Sequence, residues 1–180
     1  MQKMGSGFAS TGLSANFWTG VGLVLAFASA SVYASAHEFF GMPGWIAAVV
    51  GGVLLLISGF FDVVDGAVAR ITKQTSKKGA FLDSAFDKIA EVAIFAGIAL
   101  GGLANPILIL MALGLSLLVS YTRSRAESLG VDLKGIGIGE RAERMLILAI
   151  IGMIPFSPAL PFGGEMNVAV IIVAIVAAIT

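Results

Sequence analysis

Cysteine is absent from this 180-residue chain, and histidine occurs once, at His37. These absences exclude a disulfide framework, a thiolate metal centre and a Cys/His nucleophile pair. His37 stands beside Glu38 in a polar stretch and reads as a solvated residue. Charge is scarce too: only 12% of residues are Asp, Glu, Lys or Arg, eleven acidic against eleven basic, for a net charge of zero. No nucleic-acid partner is expected of such a chain.

What is abundant is apolar surface. Hydrophobic residues make up 58% of the sequence and the mean hydropathy is +0.99. This is the composition of an all-α integral membrane protein, read here as a single domain over 1–180. The Gly/Ser-rich opening carries one charge, Lys3, and the long apolar run behind it lacks the form of a cleavable signal peptide. Six transmembrane helices are expected, over about 17–36, 45–70, 79–103, 106–127, 140–154 and 166–180. Asn105-Pro106 divides an uncharged run from Val92 to Thr122 that is too long for one crossing. The last run, 15 residues, is short for a span.

Charge placement orients these helices. All eleven Lys and Arg fall at Lys3, within 70–88 or within 123–144. The turns at 37–44, near 105 and at 155–165 have none. With six crossings the basic segments share one side, and the positive-inside rule makes that side, with both termini, cytosolic.

Four aspartates lie on the same side, in FDVVDGAVARITKQTSKKGAFLDSAFDKIAE from Phe61 to Glu91. Asp62 and Asp65 are three apart and Asp83 and Asp87 four apart, so each pair shares a helix face. In a helix at membrane depth each Asp costs about 2.5–3.5 kcal/mol, and a bound hard cation such as Mg²⁺ or Mn²⁺ would offset that. Gly66 leaves room beside the acids, while Arg70, Lys73, Lys77 and Lys78 supply cations suited to phosphate. The ordinary meaning of acids and bases at a helix end is a solvated, salt-bridged face. Eight fixed positions at membrane helix ends exceed what that meaning explains. Carboxylates, a glycine gap and neighbouring cations describe metal-assisted phosphoryl transfer.

The full pattern, D-x2-D-G-x2-A-R-x8-G-x3-D-x3-D, is filled at Asp62, Asp65, Gly66, Ala69, Arg70, Gly79, Asp83 and Asp87. It resembles the signature of the CDP-alcohol phosphotransferases, membrane enzymes of phospholipid synthesis. The resemblance implies a homodimer that takes a CDP-linked lipid and an alcohol acceptor. It also implies one or two Mg²⁺ or Mn²⁺ ions on Asp62, Asp65, Asp83 and Asp87, with Asp87 the candidate general base. Gly66, Ala69, Arg70 and Gly79 would meet the nucleotide. The family's Pro-Asn-x-x-Thr element is represented here by Ala15, Asn16 and Thr19. Asn16 and Thr19 are candidate nucleotide contacts, though Ser14 or Asn16 equally suits a plain helix cap.

Arg123 and Arg125 in YTRSRAE, with Arg141 and Arg144 in GERAER, are candidates for binding an acceptor phosphate. Arg141 and Arg144 share a helix face, whereas Arg123 and Arg125 cannot. Basic residues at helix ends also serve topology and anionic headgroups. Both segments are similar to those of the phosphatidylinositol-phosphate and archaetidylinositol-phosphate synthase branch, which implies inositol 1-phosphate as acceptor. Glycerol 3-phosphate, serine and free inositol are the competing acceptors. A cation transporter and a purely structural membrane protein are the competing classes.

Overall fold

The computed structural model describes residues 7–37, 40–72, 76–131, 139–154 and 164–180. Lys3, Glu38, Lys73, the glycine-bearing 132–138 segment and the proline-rich 155–163 turn lie outside the described residues. The described residues contain no strand. After one helical turn at 7–9, six helices follow: α1 (Ala15–Ala34), α2 (Gly44–Ile71), α3 (Lys77–Leu100), α4 (Pro106–Ser128), α5 (Arg141–Met153) and α6 (Glu165–Ile179).

Local chemistry sets most of these ends. Ser14 caps α1 by accepting from the Phe17 N–H at 3.3 Å, and Ser76 caps α3 by accepting from the Gly79 N–H at 3.0 Å. Asn105 accepts from the Ile107 N–H at 2.9 Å, with Pro106 in the first turn, where its missing N–H has no partner to lose. Glu140 and Glu143 form a reciprocal capping box on α5. α3 stops three residues before the expected end because Gly101 and Gly102 turn the chain, Gly102 at φ +64°.

α1, α2 and α4 are long and apolar enough to cross a membrane. α3 has the length but carries Asp83, Asp87, Lys88 and Glu91 along it. At 13 and 15 residues, α5 and α6 rise about 20 and 22 Å at 1.5 Å per residue, short of a roughly 30 Å hydrocarbon layer.

α1 packs against both α2 and α3; α2 also meets α5, and α6 joins α5 to α4. The α1–α2 seam is built from glycine and serine. Ser29 donates to the Gly51 carbonyl at 2.7 Å, and Ser58 donates to the Gly22 carbonyl at 2.8 Å. Each helix thus offers a Gly/Ser pair seven residues apart, read in opposite directions. Small residues let the backbones approach and leave those carbonyls within reach of a serine. On the other face of α1, Gly97 of α3 lies against the Ala30 backbone and Gly101 against the Tyr33 carbonyl. Phe95, Ile98, Leu148, Ala149, Val170 and Val173 fill the main core.

A side chain at 97 would overlap the Ala30 carbonyl, whereas one at 20 meets nothing within 4 Å. Gly97→Leu should therefore cost at least the roughly 1–3 kcal/mol of an overpacked core. Gly20→Ala should be neutral, or stabilising by about 0.4–1 kcal/mol. Thermal unfolding in detergent checks both.

Candidate active site

Asp62 stands one turn beyond Ser58 on α2, so the Gly22–Ser58 contact fixes its distance from α1. Asp83 and Asp87 come from the first half of α3, which also packs on α1. Asp62, Asp83 and Asp87 bring one carboxylate oxygen each within 4.8 Å of one another. Asp65 sits a turn further along α2, 5% exposed, beside Thr19 of α1. Its Oδ2 is buried without a hydrogen-bond partner.

Arg141, the first residue of α5, reaches into this cluster. Its Nη1 pairs with Asp87 Oδ1 and lies 3.5 Å from Asp62 Oδ2. Carboxylates this close repel strongly in a medium of low dielectric, and the guanidinium offsets part of that repulsion.

Two cavities are lined by the acids, and a third adjoins them through Arg141. A polar cleft of about 300 Å³ is walled by Asn16, Thr19, Gly66, Ala69, Arg70 and Gly79, and Asp65 and Asp83 also line it. All six residues picked from the sequence as nucleotide contacts therefore face one space. A basic cavity of about 220 Å³ is lined by Lys88, Arg123, Arg141 and Arg144, with Ser84, Ser120 and Ser124 and the acids Glu127 and Glu140 at its wall. An apolar groove of about 340 Å³ runs past Leu55, Leu56, Phe60, Ile94, Met145 and Leu146 and ends at Asp62 and Arg141. A gap of about 20 Å³ among Thr19, Asp62, Asp65, Asp87 and Arg141 lies between them.

The four arginines are not equivalent. Arg123 lines the basic cavity and pairs with Glu140 at 3.1 Å. Arg125 is exposed and is not part of that cavity's wall. Two positions after Arg123 on a regular helix, it points about 200° away. Arg141 divides itself between the acids and the basic cavity. Arg144 is 1% exposed, and its guanidinium donates to the carbonyls of Gly139 at 2.6 Å and Ser116 at 3.4 Å. Only part of it is left for a ligand. Lys77 and Lys78 are exposed at the start of α3 and are not among the residues lining the polar cleft.

Sequence reasoning missed Lys88, which belongs to the basic cavity. Next to Asp87 it looks like one more charge of topology. Its signal was angular: adjacent helical residues diverge by about 100°, so Lys88 faces the groove beside the one Asp87 faces.

Residues 13–180 match the model of the CDP-alcohol phosphatidyltransferases. The chain belongs to that family. Among relatives, the transferase is 36% identical over 150 residues to the archaetidylinositol phosphate synthase of Pyrococcus horikoshii, an alignment covering 83% of this chain and 74% of that one. It is 41% identical over 136 residues to the same-named synthase of Methanothermobacter thermautotrophicus, covering 76% and 64%. It is 39% identical over 142 residues to the phosphatidylinositol phosphate synthase of Streptomyces avermitilis, covering 76% and 54%. Its fold is similar to that of Mycobacterium tuberculosis phosphatidylinositol phosphate synthase in complex with manganese and citrate. That comparison gives a TM-score of 0.75 and 25% identity, covering 99% of this chain and 83% of that one.

The transferase's acid cluster fits a divalent cation. Every donor is a carboxylate oxygen, the hard ligand that Mg²⁺ and Mn²⁺ prefer, and the unpartnered Oδ2 of Asp65 adds a buried acceptor beside the cluster. Replacing Asp62 or Asp83 by Asn should weaken Mn²⁺ binding at least tenfold, about 1.4 kcal/mol. Titration followed by electron paramagnetic resonance measures it directly.

Proposed function

We propose that this transferase moves a phosphatidyl or archaetidyl group from a CDP-linked lipid to inositol 1-phosphate, releasing CMP. The observation that carries the proposal is the set of three unlike cavities around the acids, two lined by aspartates and the third adjoining them through Arg141. A polar cleft suits a nucleotide, an apolar groove suits lipid chains, and a basic cavity suits a phosphorylated alcohol. The names of the archaeal and actinobacterial relatives support the acceptor. The solved mycobacterial synthase with CDP-DAG bound shares this fold at a TM-score of 0.76 and 24% identity over 99% of this chain and 87% of that one.

In this reading Asn16, Thr19, Gly66, Ala69 and Gly79 form the nucleotide's walls. Arg70 neutralises its phosphates. Asp62, Asp65, Asp83 and Asp87 hold one or two Mg²⁺ or Mn²⁺ ions, which supply charge neutralisation and polarisation at the diphosphate. Arg123, Arg141 and Arg144, joined by Lys88, bind the acceptor phosphate and so bring its hydroxyl to the acids. Asp87 takes the proton from that hydroxyl. The acceptor oxygen bonds to the lipid-bearing phosphorus as the bond from that phosphorus to the CMP oxygen breaks. Donor and acceptor enter from different cavities, which suits direct in-line displacement with both substrates bound. In this reading the six helices are membrane-embedded, α5 and α6 as short spans, with the acids on the cytosolic side, and the enzyme works as a homodimer.

Two measurements test this. Purified protein with Mg²⁺ and CDP-lipid should release CMP on adding inositol 1-phosphate, and not on adding glycerol 3-phosphate, serine or free inositol. Stimulation by one of those instead would replace the acceptor while keeping the reaction class. Asp87→Asn should lower turnover by about 10²–10⁴-fold, the span of general-base contributions, with CDP-lipid binding largely retained. Loss of that binding would assign Asp87 chiefly to the metal.

A further inference from the structure

Among the described residues, Glu91 is the buried acid that this reaction leaves without a role. It lies one turn beyond Asp87 on α3 and is 0% exposed. Each of its carboxylate oxygens faces a different cation. Oε1 is 3.6 Å from Arg144 Nη2, and Oε2 is 3.7 Å from Lys88 Nζ. Neither oxygen has a hydrogen-bond partner closer in. Both cations line the basic cavity, while Glu91 faces the apolar groove on the other side of them. The carboxylate is thus a wall piece between the two spaces, with its charge directed at the cations.

A purely structural role explains this poorly. Burying a carboxylate and a guanidinium costs several kcal/mol of desolvation each, and apolar residues of similar volume usually fill such a position at no loss of stability. What an ion triad adds is fixed position. Lys88 carries a flexible four-carbon stem, and close beside the Arg144 guanidinium it would be repelled without an anion between them. The rest of the cavity follows the same plan: Arg123 is backed by Glu140, and Arg141 by Asp62 and Asp87. Each cation lining this cavity lies within 4 Å of an acid, and of those acids Glu140 lines the cavity as well.

We propose that Glu91 is a positioning residue for acceptor binding, holding Lys88 and Arg144 where both meet the phosphate of the phosphorylated alcohol. The proposal deepens the acceptor assignment above and rests on it. Of the donor's spaces, the polar cleft and the acid cluster do not include Glu91; it meets only the apolar groove of the lipid chains, with its charge turned toward Lys88 and Arg144.

The test measures KM for CDP-lipid and for acceptor separately in the full chain, comparing wild type, Glu91→Gln, Glu91→Asp and Arg144→Gln. Glu91→Gln should raise the acceptor KM at least tenfold and keep the CDP-lipid KM within twofold. Glu91→Asp, which retains the charge, should recover part of that loss. The double variant Glu91→Gln with Arg144→Gln should show an acceptor KM well below the product of the two single effects. A fall in kcat alone, or an equal rise in both KM values, would overturn the proposal and leave Glu91 a packing residue. Where Glu91→Gln does not accumulate as folded protein, Glu91→Asp decides: an acceptor KM raised about threefold or more with an unchanged donor KM supports the role, and unchanged values for both refute it. An error in the acceptor assignment shows separately, in wild type, as CMP release driven by another alcohol. The KM split is then read with that alcohol, and an acceptor without a phosphate overturns the positioning role as well.

Discussion

The close approach of α1 to its two neighbours is the constraint on which the rest of the molecule depends. Gly22 and Gly51 offer carbonyls to Ser58 and Ser29 on one side, and Gly97 and Gly101 accept the backbone of α1 on the other. In an apolar medium the hydrophobic effect does little to hold helices together, so contact distance and interhelical hydrogen bonds carry the association. That contact distance decides the chemistry, because Asp62 rides on α2 and Asp83 and Asp87 on α3. Helices held a few ångströms further apart would leave separate acids in place of a cluster.

Gathering like charges has an electrostatic consequence that the chain meets with cations from α5. Arg141 enters at the helix start, positioned by the capping box of Glu140 and Glu143, and its guanidinium closes on Asp62 and Asp87. One further turn along, Arg144 closes on Glu91. The segment GERAER thus works as a unit: its glutamates set the helix entry and its arginines, three apart, reach the two acidic levels of α3.

Much of this layout was legible in the sequence. Helix boundaries fell within three residues of expectation, because Ser14, Ser76, Asn105-Pro106 and Glu140 are caps whose chemistry is local. The spacing of Asp62 with Asp65, and of Asp83 with Asp87, gives two carboxylate faces from helix geometry alone. That three of the four, Asp62, Asp83 and Asp87, come within 4.8 Å while Asp65 turns toward Thr19 was not legible. It depends on how α2 and α3 are rotated about their axes, which the glycine contacts set. The arginines were harder still. Arg123 and Arg125 look alike in one dimension, and only the packing of α4 separates a cavity residue from an exposed one. Lys88 and Glu91 stayed hidden because i,i+3 charge pairs are common on solvated faces, and burial is a property of the neighbours.

Arg141 belongs to two spaces at once, the acid cluster and the basic cavity. A single guanidinium cannot be counterion to both without compromise. A cation held by the acids would compete with Arg141 for their charge, and an anion in the basic cavity would compete with the acids for Arg141. Any coupling of the two spaces through it would be reciprocal, each occupant changing the affinity of the other by the same factor. One shared charge thus joins the two half-sites through a single side chain.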